Sequence, residues 1–291
     1  MSLLILAIIT ATPRTLPAAL ASARSGDTIR LAESSYRDVR IDRTFSPAVT
    51  IEATDTIVRG LRIAGGGVLW RGGTVSAPAG RNGFAAAGYA ALVTGQNVTF
   101  SGTTFTNAKK AMVLDRAKGV TVMDSSFLRN GEDGIIASRT TRLTVLRSRF
   151  ALTMAKPSSC TTVGGIVYRV TRRECLARAG IWVDGYHPDA VQMRNGVTDV
   201  LLSGNVVEGM TQGLTQMATT GDAPLARVRI EGNTVAADGH HITLADCSGC
   251  IIRNNVVRRW RRNTYKAVIR PGAARRCENQ AQDEPDDGPC R

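Results

Sequence analysis

The chain has 291 residues, with 37 Lys and Arg against 24 Asp and Glu, and a formal net charge of +13. An apolar content of 43% excludes a disordered chain, and no apolar run reaches the roughly 18 residues of a membrane-spanning helix. Aromatics are scarce at 5%, while Val, Ile, Thr and Gly abound, which suits short strands and tight turns better than a helical bundle.

Residues 3–9 form an apolar run of signal-peptide length followed by small residues, without the basic flank of a strong export signal. The run reads either as a weak signal peptide or as a buried first segment. Residues 15–24 are amphipathic and precede Ser25-Gly-Asp-Thr-Ile-Arg-Leu31, as a cap helix would precede a first strand. Residues 1–24 are therefore expected to hold a signal peptide, a cap helix, or both.

From there one unit recurs. It reads Val98-Thr-Phe-Ser-Gly-Thr-Thr-Phe105, Val120-Thr-Val-Met-Asp-Ser-Ser-Phe127 and Leu143-Thr-Val-Leu-Arg-Ser-Arg-Phe150. It continues as Val200-Leu-Leu-Ser-Gly-Asn-Val-Val207, Val228-Arg-Ile-Glu-Gly-Asn-Thr-Val235 and Cys250-Ile-Ile-Arg-Asn-Asn-Val-Val257. The units start 22, 23, 57, 28 and 22 residues apart. A period near 22 leaves no room for crossover helices, so each strand must stack on its own copy in the next coil. That predicts an all-β fold, a single-stranded right-handed parallel β-helix over residues 25–272, with an N-terminal helical cap. The sixth positions, Thr103, Ser125, Ser148, Asn205, Asn233 and Asn255, should form a hydrogen-bonded ladder. The long interval holds one coil plus an insertion, residues 151–186, and residues 273–291 are expected to close the far end.

The six cysteines fall into three local pairs, Cys160 with Cys175, Cys247 with Cys250, and Cys277 with Cys290, which predicts disulfides and an oxidising compartment. A zinc site on Cys247, Cys250 and His240 or His241 is the rival reading, and it lacks a fourth ligand. Nine Arg or Lys and no acid lie between Ile251 and Arg276, beside Trp260 and Tyr265. They form either a polyanion-binding face or a plain solvated one.

Segments ahead of the repeated strand also align: Lys110-Ala-Met-Val-Leu, Asp133-Gly-Ile-Ile-Ala, Asp189-Ala-Val-Gln-Met, Gly213-Leu-Thr-Gln-Met, His240-His-Ile-Thr-Leu and Lys266-Ala-Val-Ile-Arg. This alignment expects Met112, Ile135, Val191, Thr215, Ile242 and Val268 to face the core. Val113, Ile136, Gln192, Gln216, Thr243 and Ile269 would face solvent, with Gln192 and Gln216 roughly 4.8 Å apart. Around them gather all three histidines, and the insertion returns into this patch as a wall. The expected catalytic residues are His187, Asp189, His241 and Lys266. The expected substrate-binding residues are Gln192, Arg194, Gln216, Arg139, Tyr186 and His240. Each has a structural alternative: Asp189 as a turn cap, the glutamines as an amide ladder, His240 and His241 as surface turn residues, and residues 130–134 as a plain turn.

The cap, the first strand and the repeat together resemble the pectate-lyase-like superfamily of right-handed β-helix proteins. Asp184-Gly-Tyr-His-Pro-Asp-Ala-Val-Gln192, followed by Thr211-Gln-Gly213, resembles a His-Pro-Asp-Ala-[Ile/Val]-Gln signature of exported, carbohydrate-active bacterial β-helix proteins. The resemblance implies a secreted or periplasmic protein that processes a glycan.

The leading expectation is a polysaccharide lyase cleaving an acidic, uronic-acid-containing polysaccharide or oligosaccharide by β-elimination. Arg194, Arg139 or Lys266 would neutralise the uronate carboxylate. His187 or His241 would move protons, with Asp189 orienting an imidazole, and Lys266 is a further candidate base. Lyases of this kind sometimes use a metal, but no acidic cluster for one stands out, and no cofactor is implied. The order Asp133, Asp189, Gly239-His240-His241, Tyr265-Lys266 also resembles the polar motifs of β-helix pectinases without their adjacent Asp-Asp pair. An inverting hydrolase or a uronate epimerase is therefore the alternative, and a non-catalytic glycan-binding surface protein is the third. The chain is read as a monomer, with no nucleic-acid partner and no integral membrane association.

Overall fold

Side chains that alternate in and out along a short strand bury their apolar half only if another layer covers it. Here each coil supplies that layer to itself. The structure is a computed structural model and describes residues 6–77, 88–152, 159–168, 172–183, 188–209, 211–217, 221–261 and 265–290. Strands stack in parallel into a twelve-stranded and a seventeen-stranded sheet, and the larger one folds into two flanks. A single coil runs Lys118–Met123 on the first sheet, Ser126–Leu128 on the near flank and Ile135–Ser138 on the far flank, then returns. This is a parallel β-helix.

The repeat fixes the register. Val98, Val120, Leu143, Val200 and Val228 pair in line and are all buried. Phe105, Phe127 and Phe150 stack inside the coils with ring centroids 4.9 and 4.5 Å apart, and Val207 and Val235 continue the column. The ladder forms as expected. Thr103 N–H donates to Ser125 Oγ, Ser125 N–H to Ser148 Oγ, and Ser148 N–H to Asn205 Oδ1. Asn205, Asn233 and Asn255 each donate their backbone N–H to the next rung's side-chain oxygen, and the structure adds a seventh rung at Asn279. Just before each rung the chain turns with a positive φ, at Gly102, Asp124, Arg147, Gly204, Gly232, Asn254 and Glu278. Gly, Asn and Asp tolerate that conformation, whereas Arg147 and Glu278 accept local strain for it.

The insertion leaves the coil geometry untouched, since Leu143 pairs directly with Val200 across it. Its described part is a three-stranded antiparallel sheet, Ser159–Thr162, Gly165–Tyr168 and Ile181–Val183, with the helix Arg172–Ala177 and the Cys160–Cys175 disulfide. Cys247–Cys250 and Cys277–Cys290 are bonded as well, so the zinc alternative has no free thiolates among the described residues.

At the N-terminal end, Ile8–Ala11 pairs in parallel with Thr28–Leu31, and Asp27 Oδ1 accepts the Ala7 N–H at 3.0 Å. The last two residues of the apolar run, Ile8 and Ile9, thus belong to the sheet. The helix Leu16–Ser22 buries Leu16 and Ala19 against that end. Arg43 Nη1 donates to the Leu20 and Ala23 carbonyls at 2.9 and 3.1 Å, satisfying carbonyls that a helix terminus leaves open. At the other end Arg275–Cys277 and Gln280–Ala281 add a last partial coil. Arg259 pairs with Asp283, and Arg276 with Glu284 and Asp287, so acids of the tail neutralise part of the basic stretch.

Candidate active site

The far flank carries one outward-facing position per coil. In register these are Arg40, Arg62, Leu92, Val113, Ile136, Gln192, Thr215, Thr243 and Arg270. Of these, Ile136, Gln192 and Thr215 are covered and buried, so Ile136 and Gln192 do not face solvent as expected. Two further expectations fail here. Gln192 pairs with Thr215, while Gln216 lies in line with the fully buried Met193. Likewise Ile269, not Val268, pairs with Ile242 and is buried. Gln216 is therefore a brace rather than a substrate contact. Its Oε1 accepts the Ala245 and Asp246 N–H groups, and its Nε2 donates to the Asp246 carbonyl at 3.0 Å.

Beside the column lie two acids from neighbouring coils, Asp133 and Asp189. Asp133 Oδ1 accepts the Asp189 backbone N–H at 3.0 Å, and both side chains are buried. Gln192 Nε2 donates to Asp189 Oδ2 at 2.8 Å, and Thr215 Oγ1 donates to Asp189 Oδ1 at 2.6 Å. Burial, reinforced by the negative charge of Asp189, pushes the Asp133 carboxyl up to about 7. Hydrogen bonds from Gln192 and Thr215 to the Asp189 carboxyl, and the raised Asp133 carboxyl beside it, set the two acids in different surroundings. Glu132 lies alongside, with Lys109 Nζ and Lys110 Nζ at 3.8 and 3.6 Å. Lys110 also draws the Asp133 carboxyl down, against the larger effect of burial.

The remaining expected residues do not converge on this point. His241 is buried rather than projecting, and desolvation holds its imidazole below the ordinary value, so it stays neutral. His240 is exposed, with its Nδ1 against the Arg270 guanidinium. Arg139 is paired with Asp115 at 2.7 Å. Lys266 is exposed and interacts with the charge of Asp283 in the tail. Arg194 is exposed two residues past Gln192, in register with Ser138. His187 and Tyr186 lie outside the described residues. Sequence reading passed over Thr215 as a core residue and Glu132 as part of a turn. The signal for the latter was Gly131-Glu-Asp-Gly134, two acids held between glycines at a coil corner. Among the described residues no group of three or more His, Cys, Asp or Glu is placed to hold a metal.

No protein-family model and no curated protein sequence matches the chain. Among solved structures, the Dettilon tailspike protein superposes with a TM-score of 0.55 at 13% identity, covering 84% of this chain and 50% of the tailspike chain. This chain thus spans half the length of that relative. Pectate lyase Pel9A matches with a TM-score of 0.48 at 12% identity, over 94% of this chain and 79% of its own. An alginate lyase from Paenibacillus sp. matches at 0.37 and 17%, over 86% of this chain and 76% of its own. The tailspike similarity concerns the fold, and it agrees with the stacked coils: the chain has a parallel β-helix as its scaffold.

Proposed function

We propose that the protein is a carbohydrate-active enzyme of the lyase type, acting on an acidic polysaccharide or oligosaccharide in an oxidising compartment outside the cytoplasm. The observation that carries this reading is the buried Asp133–Asp189 pair beside the outward column of a β-helix, with the Asp133 carboxyl raised to about 7. Three disulfides and the +13 charge support the compartment and the anionic partner.

In β-elimination the C5–H bond breaks, its electron pair becomes the C4=C5 double bond, and the C4–O bond releases the leaving sugar. Asp189 takes the C5 proton. Asp133, its carboxyl raised to about 7, supplies a proton to the leaving oxygen. Arg194 at the open side neutralises the uronate carboxylate, which makes C5 more acidic. Substrate hydroxyls displace Gln192 and Thr215 from Asp189. An inverting hydrolase would hold a water between two carboxyls about 6.5–9.5 Å apart. The direct hold of Asp133 on the Asp189 backbone argues against that spacing.

The test is incubation with acidic polysaccharides, reading the ultraviolet absorbance of the unsaturated uronate. Asp133→Asn and Asp189→Asn should each lower turnover on the order of 10²-fold or more. Arg194→Ala should chiefly weaken binding, and raised salt should mimic part of that loss. New reducing ends without unsaturation would establish hydrolysis instead. Binding without any product would leave the non-catalytic glycan-binding reading, which the closed cover of Gln192 and Thr215 favours.

A further inference from the structure

Across neighbouring coils this fold sets cations against acids: Arg30 over Glu52, Arg139 over Asp115, Arg147 over Asp124, Arg227 over Asp199, Arg253 over Glu231 and Arg259 over Asp283. Near the N-terminal end the pattern inverts. The strands Ser35–Ile41 and Ile57–Ile63 place Arg37 directly opposite Arg59, and Arg40 directly opposite Arg62. Among the described strand pairs these are the two registers where a cation faces a cation. None of the four arginines has an acidic partner within ion-pair distance among the described residues. Like charges directly opposite on adjacent strands, roughly 4.8 Å apart, destabilise a sheet. An arrangement that the rest of the molecule avoids is therefore expected to serve a ligand.

The surroundings fit a sugar acid. Arg40 and Arg62 line a groove of about 130 Å³ with Leu61, Asp38 and the exposed ring of Tyr89. Guanidinium forks bind carboxylate or sulfate in bidentate fashion, the Tyr89 ring offers a face for a pyranose, and Asp38 offers an acceptor for a hydroxyl. Arg40 and Arg62 occupy the same outward column as Gln192 and Thr215. Arg62 lies four strand steps from Gln192, about 19 Å along the helix axis.

We infer that Arg40, Arg62 and Tyr89, supported by Arg37 and Arg59, form a distal subsite for the acidic groups of a polyanionic glycan laid along the helix axis. The inference extends the substrate class proposed above to a long polymer. Its test reads binding alone, so it stands or falls separately from the carboxyl pair. The experiment measures polygalacturonate affinity at low and high salt for the wild type, an Arg40→Ala/Arg62→Ala double variant and the control Arg178→Ala in the insertion. The double variant should lose at least tenfold in affinity and part of the salt dependence, while Arg178→Ala stays at the wild-type value. Without polymer, the double variant should melt at or above the wild-type temperature, because repulsion is relieved. Unchanged polygalacturonate affinity would overturn the inference. So would an equal loss for neutral dextran, or a DNA duplex bound as tightly as the polymer.

Discussion

Ionising Asp133 costs the folded state more than the unfolded one, because its carboxyl is raised from 3.8 to about 7 on folding. The folded form holds the proton more tightly, so this contribution to stability is complete below pH 4 and is lost as pH climbs towards 7. Asp133→Asn keeps an oxygen for the Asp189 N–H and cannot ionise. It should therefore be more stable than the wild type at pH 8 and no better at pH 4, a crossover that chemical denaturation at the two pH values would reveal. Gln216 gives the opposite kind of test. Its amide serves two backbone donors and one backbone carbonyl, so Gln216→Ala should cost about 1–3 kcal/mol and leave glycan affinity unchanged. The sequence invites the other reading, because Val191-Gln-Met193 and Thr215-Gln-Met217 look like copies of one another. Pairing runs Val191 to Leu214, and a slip of one residue turns every side chain to the opposite face. Nothing in composition marks which glutamine is outward. Only the hydrogen bonds to Ala245 and Asp246 do.

At the level of the strand and its turn, much more was legible. The polar sixth position and the apolar first, third and eighth positions recur in the sequence, and they are rungs and core in the structure. Local cysteine spacing likewise gave all three pairings. Hidden from the sequence was the burial of His241, whose position depends on how a non-repeating corner packs. The left-handed residue before each rung is Gly in three of the seven coils and Arg or Glu in two, which blurs the pattern. Asn233 accepts from both the backbone and the side chain of Asn205 and donates to the Leu202 carbonyl and Asn255. Asn233→Ala strands several buried polar groups at once. It should lower stability by about 1–3 kcal/mol or more, seen as a reduced denaturation midpoint, with substrate affinity retained.

At the scale of the whole stack the vulnerable places are the first and last described coils, which pair with a neighbouring coil on one side among the described residues. The C-terminal end is closed by the Cys277–Cys290 disulfide and by Asp287, which binds both Arg276 and Asn279 of the last coil. Replacing both cysteines by serine should cost about 2–4 kcal/mol and make the last strands exchange amide hydrogens first, measurable by hydrogen exchange. Protection that stayed uniform along the stack would show that the tail is not the closure.

The bypassed insertion has a consequence for how such a protein diversifies. Ser148 reaches Asn205, and Phe150 faces Val207, as though residues 153–187 were not there. Selection can therefore lengthen, shorten or exchange that segment without rewriting any rung or core position. The neighbouring coils hold one another through their mutual register, so a change of length or sequence between them leaves rungs and core as they are.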